Sequence, residues 1–249
     1  MARHSREQSE TGVYHVMLRG INRQLIFEDD EDRSKFLDLL CRFKKECGFE
    51  LFGYCLMGNH VHLLIKENAV PLERIIKKIG TAYVYYFNQK YDRVGHLFQD
   101  RFRSEVVHDD PQLLQTLRYI HRNPVKAGMC SEPEEYSFSS YLQYKNEENG
   151  IADTDFILSM VSAEELIQFT NQPNDDVFID ISEKQQKRPT DREAKEIMIS
   201  VCGNLSAAEF QTFGRRERDE FLVRLKEKGL SITQINRLTG VSRTIISRA

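Results

Sequence analysis

The chain has 249 residues, 40% of them hydrophobic and 29% charged, which places it among globular proteins with room for one large domain or a domain and a smaller companion. No run approaches the eighteen or more apolar residues of a membrane span, and Met1 to Glu10 is polar and charged, unlike a secretory signal, so a cytoplasmic location with no membrane partner is expected. The net charge of −3 argues against a protein that coats nucleic acid by bulk charge, but it hides an asymmetry: residues 1–130 carry 20 Lys+Arg against 17 Asp+Glu, residues 131–189 carry 4 against 13, and residues 190–249 carry 11 against 8.

In chain order, Val13 to Arg19 is a β-branched and aromatic run ended by Gly20, which reads as a first strand. The acidic patch Glu28 to Asp32 opens a helix whose apolar stripe is Phe36, Leu39, Leu40 and Phe43, and Gly48 stops it. Phe49 to Leu56 reads as a second strand, paired in a hairpin with a third that starts at His60. A strand has a side-chain period of two, so His60 and His62 share one face of that third strand while Val61 and Leu63 take the other. Two imidazoles side by side can bind one divalent cation, or simply line the solvated face of an amphipathic strand.

Pro71 starts the next helix, which buries Leu72, Ile75, Ile76 and Ile79 and runs on through Tyr83 to Phe87 towards Tyr91. Lys77, Lys78, Lys90 and Arg93 border those aromatics; the mixture suits stacked bases and phosphates, or a core with a solvated cationic face. A loop, Gly95 to Ser104, leads to a fourth strand at Glu105 to His108, and Asp110-Pro111 opens a third helix from Gln112 to about His121. The order β-α-β-β-α-β predicts an α+β fold, a ferredoxin-like antiparallel sheet with helices on one face and the His60 strand at its centre.

The third helix continues into Tyr119-Ile120-His121-Arg122-Asn123-Pro124-Val125-Lys126-Ala127-Gly128. Together with Gly58-Asn59-His60-Val61-His62 and Gly95-His96-Leu97-Phe98-Gln99, this resembles the IS200-type single-tyrosine HUH transposases, in the branch called REP-associated tyrosine transposases, over roughly residues 10–145. The resemblance implies a metal-dependent strand transferase acting on single-stranded DNA beside a hairpin, with Tyr119 as nucleophile forming a 5′-phosphotyrosine. It implies His60, His62 and Asn123 as ligands of Mg²⁺ or Mn²⁺, Asn123 lying one helical turn beyond Tyr119 on the same face. Pro124 disfavours helical geometry at Asn123, which is expected as a helix-end residue free to turn inward. Arg122 and Lys126 are candidate cations beside the phenol, and Arg101 and Arg103 candidate phosphate contacts. The alternative is a catalytically silent DNA-binding protein of the same fold; a relaxase or replication initiator is a further rival. A monomer and a homodimer with exchanged tyrosines both fit.

Residues 1–145 are thus expected to form the HUH domain and residues 146–189 an acidic connector holding one helix, Ser162 to Thr170. Residues 190–249 are expected to form a small all-α domain. Within it, Gly229 to Arg248 resembles a helix-turn-helix of Trp-repressor-like and replication-initiator proteins, with Gly240 in the turn. Arg243 and Thr244 would open a recognition helix for duplex DNA. Asn236 departs from that pattern, standing where a small alanine usually lets the two helices touch.

Overall fold

The structure is a computed structural model and describes residues 7–99, 101–172, 191–203, 205, 207–230, 232–242 and 245–246. The chain divides into two compact units, Met1–Ile179 and Asp180–Ala249.

In the first unit β1 (Val13–Arg19), β2 (Glu50–Met57), β3 (His60–Lys66) and β4 (Arg103–Val106) form an antiparallel sheet of order β2-β3-β1-β4. This is the ferredoxin-like order, with β3 one of the two central strands. Helices α1 (Asp30–Cys47) and α2 (Leu72–Lys90) cover one face. The Asp29 carboxylate caps α1 by accepting from Asp32 N at 3.0 Å, and Gly48 ends the helix at φ 69°. Phe36, Leu40, Ile75 and Ile79 pack there on Val16 and Leu18 of β1 and on Val61, Leu63 and Ile65 of β3.

The opposite face belongs to α3 (Asp110–Lys126), which lays Leu113, Leu117 and Ile120 on Phe52, Cys55 and Leu64. Gly53 permits the close approach, since a Cβ there would lie 2.5 Å from Leu117 Cδ1. Fully burying a Leu, Ile or Phe side chain stabilises by roughly 1.5–3 kcal/mol, so two buried faces pin the register against a one-residue slip. That register turns His15, His60 and His62 towards α3.

Two boundaries differ from the sequence expectation. Strand β4 starts at Arg103, two residues earlier than expected, and its ladder yields where His108 N turns to the Gln112 side chain at 2.8 Å. Helix α3 runs past His121 and through Pro124 to Lys126 instead of ending at Asn123. Proline removes one N–H from the helical ladder, but Asn123 and Pro124 are both buried and Ala127 N still donates to Asn123 O at 2.9 Å. Packing outweighs the local preference.

The acidic stretch after residue 145 packs into this unit as far as it is described. After α4 (Tyr141–Lys145), Asp153 accepts from Lys44 Nζ at 2.6 Å and from Leu51 N at 2.8 Å. Ile157 of α5 (Asp155–Leu158) and Leu166 of α6 (Ala163–Asn171) are buried in the cluster beneath α3. Ser162 and Glu165 close a capping box at the start of α6.

The second unit is all-α over its described residues: α7 (Asp191–Cys202), α8 (Ala207–Gln211), α9 (Arg215–Glu227) and α10 (Ile232–Thr239). Met198, Phe210, Leu222, Leu225 and Ile235 make its core. Gly240 follows α10 at φ 70°, in the left-handed region. The Asn236 side chain donates to Val241 O at 2.7 Å, so the residue that departs from the helix-turn-helix pattern closes the turn instead of blocking it. Ile246 N donates to Ser242 O at 3.1 Å. Arg243 and Thr244 lie outside the described residues.

Candidate active site

The site grows from β3. His60 Nδ1 lies 2.6 Å from Asn59 Oδ1, and Asn59 Nδ2 donates to Arg23 O at 3.3 Å, which fixes the amide orientation. An amide oxygen only accepts, so His60 carries its hydrogen on Nδ1 and its lone pair on Nε2. His62 is fully buried, with Nδ1 2.9 Å from His15 Nε2 of β1. Its Nε2 is buried with no hydrogen-bond partner among the described residues. His15 is equally buried and pairs directly across the ladder with Glu105 of β4, His15 Nδ1 standing 4.0 Å from Glu105 Oε2. Burial pushes His15 down to about 3; burial, helped by the neighbouring His60 and His15, holds His62 well below the ordinary histidine range. Both rings are therefore neutral near pH 7.

Helix α3 brings Tyr119 against these rings. The Tyr119 ring centroid lies 5.7 Å from that of His62 and 5.8 Å from that of His15, edge-on to both. Tyr119 is 3% exposed and Lys126 Nζ sits 5.4 Å from its ring centroid. Asn123, one turn on and 7% exposed, donates from Nδ2 to Tyr119 O at 3.3 Å, leaving Oδ1 as the accepting end of the amide. The structure thus gathers His60, His62, Tyr119, Asn123 and Lys126. Arg103 is exposed and pairs with Met17, whose partner on β3 is His62, so it shares the row and face of the site. Arg101 is exposed just before β4. Arg122 is committed elsewhere: its Nη1 donates to Thr170 O at 3.1 Å and Asn171 O at 3.2 Å, capping the carbonyl end of α6.

The donors present suit a divalent cation. Two imidazoles, His60 with its lone pair on Nε2 and His62 with a buried Nε2 that has no hydrogen-bond partner among the described residues, stand with an amide oxygen on the same side of the sheet. Among the described residues no group of three or more His, Cys, Asp or Glu is placed to hold a metal, so the fit rests on the imidazole pair and the amide.

His15 and Glu105 are the site neighbours that the sequence reading passed over. The signal available was parity: His15 sits in a strand at an odd position, on the face opposite Tyr14, Val16 and Leu18. The loop carrying Gly95 to Gln99 acts as a brace. Leu97 is buried, Ile21 N donates to Leu97 O at 2.9 Å, and Gln99 N donates to Arg19 O at 2.8 Å. Among the cations bordering the α2 aromatics, Lys90 holds Asp29, Glu31 and Asp32 and Arg93 donates to Gln24, while Tyr83 and Phe87 are core.

Residues 8–123 match the family described as transposase IS200 like. Over 160 residues the chain is 28% identical to a Haemophilus influenzae protein named "Putative REP-associated tyrosine transposase", covering 57% of this chain and 86% of that one. Among solved structures, a REP-associated tyrosine transposase bound to a REP hairpin superposes with a TM-score of 0.50 at 16% identity, over 62% of this chain and 93% of that chain, which is a likeness of fold. Among the described residues no helix is long and apolar enough to cross a membrane.

Proposed function

We propose, on the premise that residues 8–123 belong to the IS200-like transposase family, that this chain cleaves and rejoins single-stranded DNA beside a hairpin, with Tyr119 as the nucleophile. The observation that carries this reading is the Tyr119 ring set edge-on to His62 at 5.7 Å, on a helix that also presents Asn123 and Lys126. The hairpin comes from the solved relative, whose bound DNA is a REP hairpin.

In the forward step Tyr119 Oη attacks a backbone phosphorus. A phosphorus–Oη bond forms, the bond to the 3′ oxygen breaks, the phenol proton is lost and the leaving 3′ oxygen takes one up. One phosphodiester is exchanged for another, so a 3′-OH can later reverse the reaction and release Tyr119 without ATP. A phenol ionises near pH 10 and needs a cation beside it to react at neutral pH. The Lys126 ammonium over the ring supplies that field. Mg²⁺ or Mn²⁺ on His60, His62 and Asn123 would supply neutralisation of the phosphate charge that grows as the ester bond breaks. Arg103, exposed on the site's face of β4, and Arg101, exposed just before that strand, would hold neighbouring phosphates and so set the register of the DNA strand. The Tyr119 hydroxyl is buried, so attack on a phosphate requires the ring or its cover to swing outward.

Tyr119 lies against the histidines of its own chain, which favours a single protomer as the reacting unit. Arg243 and Thr244 of the second unit would add contacts to duplex DNA, and the protein would work in the cytoplasm. The test uses hairpin oligonucleotides from the flanks of the gene, labelled at either end, with Mn²⁺ or Mg²⁺ and either wild type or Tyr119→Phe. Wild type is expected to give a protein-linked fragment and a free 3′-OH fragment, and Tyr119→Phe to bind without cutting. Binding without cutting by wild type in either metal would transfer the chain to the silent DNA-binding class.

A further inference from the structure

We infer that His15, backed by Glu105, is a positioning residue that holds His62 in the tautomer with its hydrogen on Nδ1 and its lone pair on Nε2. The three residues come from three adjacent strands. His15 stands directly across from Glu105 on β4 and diagonally across from His62 on β3, and all three side chains lie on the α3 face. Side chains at diagonal positions start about 7–8 Å apart, and two imidazoles bridge that gap. Here they do so with Nε2 of His15 2.9 Å from Nδ1 of His62, their planes inclined by 26°.

Two neutral imidazoles in contact through nitrogen share one hydrogen, so the bond has one of two directions. If His62 Nδ1 donates to His15 Nε2, His15 carries its own hydrogen on Nδ1 and points that dipole at the Glu105 carboxylate, 4.0 Å away. If His15 Nε2 donates instead, the bare Nδ1 of His15 faces the carboxylate lone pairs, and His62 must place a hydrogen on a buried Nε2 that has no hydrogen-bond partner among the described residues. The separation of 4.0 Å is too long for a direct hydrogen bond, so Glu105 acts through its charge. Both considerations select the same direction. The hydrogen-bond partner of a ligating histidine fixes its tautomer in this way, and the sheet register builds the partner before any ligand arrives. What the Nε2 lone pair is for rests on the strand-transfer reading; the direction of the relay does not.

The test uses the metal-free full-length chain with ¹⁵N-labelled histidine, read by long-range ¹H–¹⁵N correlation, and then titration with Mn²⁺ alone. Wild type is expected to show His62 protonated on Nδ1 and bare on Nε2. Glu105→Gln, whose amide donates as well as accepts, is expected to give a mixture of His62 tautomers and a roughly 10–100-fold loss of Mn²⁺ affinity. Glu105→Asp, keeping the charge, should restore the single tautomer. His15→Phe should unfix it as well; if that buried change prevents folding, Glu105→Gln at the half-exposed strand edge decides. His62 protonated on Nε2 in wild type, or unchanged on Nδ1 in Glu105→Gln, would overturn the relay. A wild type that holds the expected tautomer but binds no Mn²⁺ would keep the relay and sink the strand-transfer reading.

Discussion

Lys90 shows how a residue read for one purpose can be spent on another. Beside Tyr86 and Phe87 it has the composition of a nucleic-acid contact, yet in the fold its ammonium reaches back to α1 and holds Asp29 and Asp32 at 2.8 and 2.9 Å. Asp32 is fully buried, which by itself would raise its carboxyl; hydrogen bonds from Lys90, Tyr91 and Glu28 N outweigh burial and hold it below the usual range. A carboxyl lowered by folding adds stability at pH values above its unfolded titration, near 3.8, and loses it as pH falls through and below that value. Asp32→Asn is therefore expected to cost about 3 kcal/mol at pH 7, as for a broken buried pair, and to flatten the acid limb of urea-unfolding free energy against pH. An unchanged acid limb would remove Asp32 from that linkage. His60, His62 and Tyr119 were legible because each belongs to a dense local motif. His15 and Glu105 were not, because they meet His62 only through strand pairing 47 and 43 positions away in the chain, and a strand's own period says nothing about which residue stands beside it.

At the scale of elements, the four strands and the first three helices follow from period, caps and breakers, and departures occur where packing overrides local preference. Pro124 predicts a helix end, yet the buried flank of α3 carries the helix one turn further. The segment after residue 145 reads as a connector because charge dominates its composition, but Ile157 and Leu166 are buried in the cluster beneath α3 and help to seat α5 and α6. Asp153 ties that segment to β2 through Lys44 and Leu51 N. Asp153→Ala should cost about 1–3 kcal/mol by leaving Leu51 N and Lys44 without that acceptor. It should also raise amide exchange from 146 to 158 before it affects the β1–β3 ladder; uniform loss of protection across the sheet would contradict a local tie. In the second unit, Gly240→Ala is expected to cost about 1–2 kcal/mol, the left-handed penalty, measured as a lowered transition of the α7–α10 unit. No change in that transition would mean that the turn adapts.

At the scale of the whole molecule, the histidines, the tyrosine, the amide and the basic strand edge all lie in the first unit, while the turn resembling a helix-turn-helix lies in the second. Among the described residues, the clusters of the first unit and that of the second are each built from residues of their own unit. Removing residues 180–249 should therefore leave hairpin cleavage within a few-fold of wild type and reduce duplex binding, read by gel cleavage and by fluorescence anisotropy at fixed salt. Loss of cleavage with retained folding would place part of the reaction in the second unit.

The most direct measurement of the central claim is the mass of the protein after incubation with a hairpin oligonucleotide and Mn²⁺, followed by peptide mapping. An increment equal to the 5′-phosphorylated downstream fragment less one water, carried on Tyr119 and absent from Tyr119→Phe, is the predicted result. Cleaved DNA with no adduct, or an adduct on another residue, would contradict it.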